Sequence, residues 1–193
     1  MAQRFSGYDR QKRESYPTPR WVTELLIPHL PRDLKEIWEP AAGNGVMAAA
    51  LREGTGARVY ASDIKPMFWC DVFSGDFFKY QCHPIVDAER PQAIITNPPY
   101  GVQGREAEAF IEHALTLMAP VNGFVAMLLK VDFDSAKGRD GMFASCPAWS
   151  KKLVLRKRIM WFPSESGHGP SDNHAWFLWD WAHQGPPTIA YAP

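Results

Sequence analysis

Asn97-Pro98-Pro99-Tyr100 stands directly after the apolar run from Gln92 to Thr96. Each proline removes a backbone N–H and fixes φ. The segment therefore offers rigid carbonyl acceptors beside the Asn97 side-chain carbonyl, with the aromatic face of Tyr100 next to them. Such a group can stack on a planar ring while its acceptors take the hydrogens of an amino group on that ring. The plainer reading is a proline-rich turn that ends a strand.

Two further motifs precede it. Glu39-Pro40-Ala41-Ala42-Gly43-Asn44-Gly45 places two glycines where a strand gives way to a helix. Glycine lets the backbone turn tightly and approach a ligand, and the following helix presents free N–H groups. The pattern is not the G-x-G-x-x-G dinucleotide fingerprint, which Ala48 fits only loosely, and no Gly-Lys-Ser/Thr follows to make a P-loop. Asp63 comes about 20 residues later, at the separation where an acid can accept both ribose hydroxyls of an adenosine ligand. Taken singly, these are an ordinary turn and a solvated strand end. Together they point to an adenosine-containing ligand.

These residues need elements to hold them. Apolar periodicity predicts a helix from about Pro19 to His29, a short strand over Glu36 to Glu39, and a helix from Gly45 to Glu53. It then predicts a strand over Ala57 to Ser62, a weak one near Cys70 to Phe73, and a buried one over Gln92 to Thr96. A helix over Glu106 to Met118 and a strand over Gly123 to Val131 follow, then a poorly defined helix over Asp140 to Cys146. Two last strands, Lys152 to Phe162 and His174 to Trp181, have no helix between them and should pair antiparallel. The alternation implies an α/β fold, a largely parallel sheet with helices on both faces. Ligands bind outside the carboxyl ends of such strands. That rule gathers the loops after Glu39, Ser62, Thr96, Val131 and Phe162 on one rim.

Composition narrows the classes. A chain of 193 residues with 46% hydrophobic residues suits one folded domain. Residues 1–15 are polar and read as a flexible N-terminal segment, and 16–193 as the domain. No apolar run reaches membrane-spanning length, and the N-terminus does not resemble a secretory signal. Cys70, Cys82 and Cys146 are odd in number and widely spaced, which suits buried thiols in a reducing cytoplasm rather than disulfides or a metal cluster. The formal net charge is zero, so any nucleic-acid contact must come from local clustering or a partner.

The glycine loop, Ser62-Asp63, Gly75-Asp76-Phe77-Phe78 and the Asn97–Tyr100 tetrad, in that order, resemble class I amino-methyltransferases. More narrowly, they resemble the gamma-type order of adenine-N6 DNA methyltransferases, and Tyr16-Pro17-Thr18-Pro19 is similar to that group's N-terminal cofactor motif. The resemblance spans about residues 16 to 181. It implies a Rossmann-like fold, a mostly parallel seven-stranded sheet with an antiparallel last strand. The implied cofactor is S-adenosylmethionine, with no metal. Thr18 and Pro19 would border its methionine end, and Glu39, Ala41, Gly43 and Gly45 would form its loop. Asp63 would bind the ribose, Ile64 would pack on the adenine, Asp76 would bond the adenine amino group, and Phe77 would flank the ring. Asn97 and the Pro98 carbonyl would accept from the target amine, with Pro99 completing the tetrad and Tyr100 stacking on the base. The reaction implied is direct methyl transfer to adenine N6 in DNA.

A base within a duplex must leave the stack to reach such a pocket. The loop from Pro163 to Asp172 falls on the rim and is expected to form part of the substrate wall. Trp161 or Phe162 would give a second stacking face, or else pack in the core, and His168 is a further candidate contact. Lys151, Lys152, Arg156, Lys157 and Arg158 are the densest basic cluster, read either as a solvated edge strand or as phosphate contacts. Arg105, Lys137 and Arg139 are equal candidates for phosphate. Gamma-type enzymes usually carry a target-recognition domain, for which this chain has no room. Specificity would then come from short loops, a homodimer or a separate specificity partner. The rivals are adenine-N6 methylation of RNA, glutamine-N5 methylation of a protein, and a non-catalytic binding module that kept the fold.

Overall fold

The computed structural model describes residues 16–67, 71–82, 84, 92–161 and 172–193. The segment 1–15, Cys70, Phe162, His168 and the rest of the loop 163–171 lie outside the described residues.

Among the described residues, eight strands form one sheet in the order β3-β2-β1-β4-β5-β7-β6-β8. They are β1 (Glu36–Glu39), β2 (Arg58–Asp63), β3 (Phe73–Ser74), β4 (Gln92–Thr96), β5 (Phe124–Lys130), β6 (Trp149–Leu155), β7 (His174–Asp180) and β8 (Thr188–Ala192). Strands β1, β2, β3, β4 and β5 pair in parallel. Strand β7 runs antiparallel to both β5 and β6. The helices are α1 (Arg20–Leu26), α2 (Val46–Thr55) and α3 (Arg105–Met118).

The period-2 alternation of side chains divides the apolar runs between two cores. Ile37, Ile95, Ala126 and Leu128 face α1 and α2, where Val22, Leu26, Met47 and Leu51 meet them. Trp38, Ile94, Val125, Met127 and Leu129 point the other way, onto Phe110, Ile111, Ala114 and Met118 of α3. Every residue of β1 and β4 is buried, as expected for strands covered on both faces. Indole groups tie the layers together. Trp38 donates to Ser62 Oγ (2.8 Å), Trp176 to the Val22 carbonyl (3.0 Å) and Trp179 to the Met142 carbonyl (2.6 Å). A buried indole N–H needs such a partner.

Helix α2 starts after Gly45 at φ 74° and stops at Gly56 at φ 68°, two left-handed positions where a side chain is costly. Beyond Leu26 the first helix tightens into a 3-10 turn, Ile27–His29, where Pro28 supplies no N–H. The expected helix over Asp140 to Cys146 is instead a 3-10 stretch, Lys137–Met142, followed by turns. Gly138 and Gly141 within it disfavour a full α-helix.

The sequence expectation differs from the sheet at three points. The strand expected over Lys152 to Phe162 is β6, Trp149–Leu155, because past Leu155 neither neighbour continues to pair with it. Strand β6 is not an edge. Strand β8 covers it in parallel, Lys151 opposite Thr188 to Leu155 opposite Ala192. This eighth strand lies beyond the seven expected, and the antiparallel member is β7 rather than the last strand of the chain. Among the described residues, no helix is long and apolar enough to cross a membrane.

Candidate active site

The chain builds β1, β2 and β3 outward in one direction and then returns to add β4 and β5 on the other side of β1. A crevice opens at such a reversal, outside the carboxyl ends of the strands. Here it is a cavity of about 1280 Å³, whose wall includes residues from the loops after β1, β2, β4 and β5 and from the start of β7.

One half of the wall is acidic and glycine-turned. The Gly43 N–H donates to Asp63 Oδ2 (2.9 Å) and the Lys65 N–H to Asp63 Oδ1 (2.8 Å). One carboxylate thus joins the loops after β1 and β2, and each oxygen keeps a lone pair for a further donor. Glu39, at the end of β1, is 2% exposed. Its Oε2 has no partner among the described residues. Burial, helped by the nearby Asp63 charge and opposed by the Ala48 N–H, pushes its carboxyl up to about 8. Asp76 accepts from the Phe78 N–H (3.1 Å) and caps a 3-10 turn, Phe77–Lys79.

The other half carries the tetrad. Pro98 is buried, and Asn97, Pro99 and Tyr100 are partly so. The Tyr100 hydroxyl donates to the Leu128 carbonyl on β5 (3.3 Å). Asn97 Nδ2 donates to the Tyr16 carbonyl (3.2 Å), whereas its Oδ1 is buried without a partner among the described residues. Gly101, at φ 63°, turns the chain toward α3. A Cβ there would lie 2.7 Å from Glu106 Cβ, so only glycine fits. His174 begins β7 against the same cavity, and burial lowers its pKa to about 4, so the ring is neutral at pH 7.

The structure gathers most of the residues singled out in the sequence. Thr18, Glu39, Ala41, Gly43, Asp63, Ile64, Asp76, Phe77, Asn97, Pro98, Pro99, Tyr100 and Trp161 all line the cavity. Pro19 and Gly45 do not, because they serve as the starts of α1 and α2. Phe77 packs inward on Trp38 (ring centroids 5.0 Å apart) and Phe110 (4.8 Å), so its neighbour Phe78 is the exposed ring at that end. Exposed Met67, Val102 and Met160 also line the mouth. No periodicity marked them, since Met67 and Met160 sit in loops and Val102 opens a short 3-10 turn, Val102–Gly104.

The basic residues divide between those tied to partners in the chain and those open to solvent. Arg139 Nε donates to Glu108 Oε1 (2.7 Å) and its Nη1 to the Phe133 carbonyl (2.6 Å), with the guanidinium 3.7 Å from the Phe133 ring centre. Lys152 binds both oxygens of Asp134 (2.8 and 2.7 Å), and Lys130 pairs with Asp172 (3.1 Å). Lys157 lies over the Trp21 ring (4.7 Å), and Arg158 donates to Asn173 (2.9 Å). Arg105 and Lys137 stand exposed.

Solved structures with the same architecture are class I methyltransferases. A Listeria monocytogenes protein described as a candidate class I S-adenosylmethionine-dependent methyltransferase superimposes with TM-score 0.64 at 14% identity, over 91% of this chain and 65% of that one. The methyltransferase subunit of a type I restriction-modification system from Streptococcus thermophilus gives 0.65 at 12% identity, over 90% and 46%. The 23S rRNA methyltransferase ErmE gives 0.58 at 16% identity, over 90% and 71%. The chain spans less than two thirds of the first two. No protein-family model and no curated protein matches it in sequence. The fold is therefore the Rossmann-like fold of class I methyltransferases.

Proposed function

We propose that this protein transfers a methyl group from S-adenosylmethionine to the N6 amino group of adenine in nucleic acid, DNA in preference to RNA. The carrying observation is Asn97 Oδ1, a buried acceptor without a partner among the described residues, placed in the tetrad on the cavity wall. An unsatisfied buried acceptor costs about 1–3 kcal/mol, and an amino group delivered there removes that cost.

The acidic half of the cavity fits the cofactor. Glu39 Oε2 lacks a partner among the described residues, which suits the ammonium of a methionine moiety. Asp63 has acceptor capacity left for ribose hydroxyls. Ile64 leaves 69% of its surface exposed beside them, apolar area that a purine ring would cover. When bound, the cofactor supplies a methyl group on a sulfonium, an electrophile needing no metal.

This chain's residues then hold the acceptor. Asn97 Oδ1 and the Pro98 carbonyl accept from the amine and turn its nitrogen lone pair toward the methyl group. Tyr100, fixed through its hydroxyl to β5, offers a face for the base. Catalysis on this reading is positioning and electrostatics. The type I restriction-modification subunit shares the fold, as does the ribosomal RNA enzyme, so the acceptor must be measured.

The test is transfer of labelled methyl to unmethylated genomic DNA, to RNA and to a glutamine-bearing release factor, followed by nucleoside or peptide analysis. The expected outcome is N6-methyladenine in DNA, reduced at least about 100-fold by Asn97→Ala. Label in RNA or glutamine instead moves the acceptor, and cofactor binding with no transfer to any of the three removes the enzymatic reading.

A further inference from the structure

Asn97 owes its orientation to a group far away in the chain. Its Nδ2 donates to the Tyr16 backbone carbonyl at 3.2 Å. A backbone carbonyl only accepts, so the amide has one satisfactory orientation, nitrogen toward Tyr16 and Oδ1 away from it. The reverse would set two oxygens face to face. The Tyr16 ring is itself braced. It meets the Trp161 ring edge-on, with centroids 5.6 Å apart and planes at 71°. Trp161 meets His174 edge-on at 5.3 Å and 78°, and His174 is 3% exposed at the start of β7. Three rings thus connect the sheet to the carbonyl that holds Asn97.

We propose that the Tyr16 carbonyl is a positioning group that makes Asn97 an obligate acceptor, and that Trp161 acts through Tyr16 to keep it so. The substrate consequence rests on the tetrad being the target site, but the lock belongs to the free chain. A locked acceptor admits a ring that carries an amino group and opposes one that carries a carbonyl at the same place. Trp161 then works from the cavity wall as a brace, rather than only as a second stacking face.

The lock is measured without any substrate. In full-length protein labelled with 15N-asparagine and 13C-carbonyl tyrosine, a through-hydrogen-bond scalar coupling between Asn97 Nδ2 and the Tyr16 carbonyl carbon is expected. One Asn97 amide proton should exchange at least tenfold more slowly than those of exposed Asn173. Trp161→Ala should abolish the coupling and at least tenfold of the protection, and Trp161→Phe, which keeps an edge-on ring, should restore both. Absence of the coupling in the unaltered protein, with exchange equal to Asn173, overturns the lock whatever the variants do. Unchanged coupling in Trp161→Ala overturns the part given to Trp161. Oligonucleotides carrying adenine or hypoxanthine then compete for the site, and the hypoxanthine form should compete at least tenfold more weakly. Equal competition with the coupling present overturns the selection by polarity. Failure of both to bind, with the coupling present, leaves the lock supported and overturns the nucleic-acid reading alone.

Discussion

If Glu39 holds the cofactor ammonium as proposed, it links cofactor affinity to pH. Its carboxyl is pushed up to about 8, chiefly by burial, so it is largely protonated at neutral pH before any cation arrives. A folded-state pKa above the unfolded one means that stability is fullest below about 4.5 and is lost as pH rises through about 8. At one pKa unit per 1.36 kcal/mol, the loss is on the order of a few kcal/mol. Glu39→Gln removes the ionisation. The variant should therefore melt higher than the parent at pH 9, without cofactor, and about equally at pH 4. A melting point that falls alike in both proteins between pH 5 and 9 would sink this account. The cofactor ammonium needs the ionised carboxylate, so binding by the parent should tighten as pH climbs from 6 to 8. Titration calorimetry should find Glu39→Gln at least about tenfold weaker at pH 8, with a flatter profile.

At the scale of elements, Arg139 separates a structural cation from a phosphate contact. It ties the 3-10 stretch Lys137–Met142 to Glu108 on α3 and to the Phe133 carbonyl, with its side chain 14% exposed. Arg139→Ala should lower stability by about 1–3 kcal/mol and leave the salt dependence of nucleic-acid binding unchanged. A salt slope that drops by about one unit with unaltered stability would mean that the arginine meets a phosphate instead. No pattern in the sequence foretold this role, because its partners come from α3 and from the loop after β5. Strand β8 escaped notice for a related reason. Thr188–Ala192 is five residues long and its outward Ile189 and Tyr191 are exposed, so neither length nor a buried face announced it. The resemblance gave the cofactor ring to Phe77, whereas contact with Trp38 and Phe110 turns that side chain inward and leaves Phe78 exposed. The tetrad, by contrast, was legible, because two prolines after a buried run leave the backbone few choices. The parallel core was legible too, since residues 93–95 of β4 and 124–129 of β5 are apolar throughout.

On the proposed function, the zero net charge of the molecule as a whole bears on how it would meet a polyanion. Lys130, Arg139 and Lys152 all have carboxylate partners, which each would have to give up before meeting a phosphate. The slope of log K against log salt is about −0.9 per phosphate neutralised. With roughly two contacts, affinity for non-specific DNA should fall only about tenfold between 50 and 200 mM salt. A fall of a thousandfold or more in a binding titration would show a basic surface that assembles on contact. Weak intrinsic affinity is consistent with a separate partner or second copy that supplies the grip.

The reversed direction of β7 has a consequence for how such a chain can change. Strand β6 ends and β7 begins on the same rim, so the connection between them leaves and rejoins the sheet beside the cavity mouth. Lengthening such a connection costs little, since each doubling of a loop costs only about 0.6 kcal/mol in closure entropy. If the proposed function holds, replacing residues 163–171 by a segment twice as long should alter which acceptors are methylated while shifting the unfolding free energy by less than about 1 kcal/mol. Variation in that one connection could diversify targets over a scaffold that stays put.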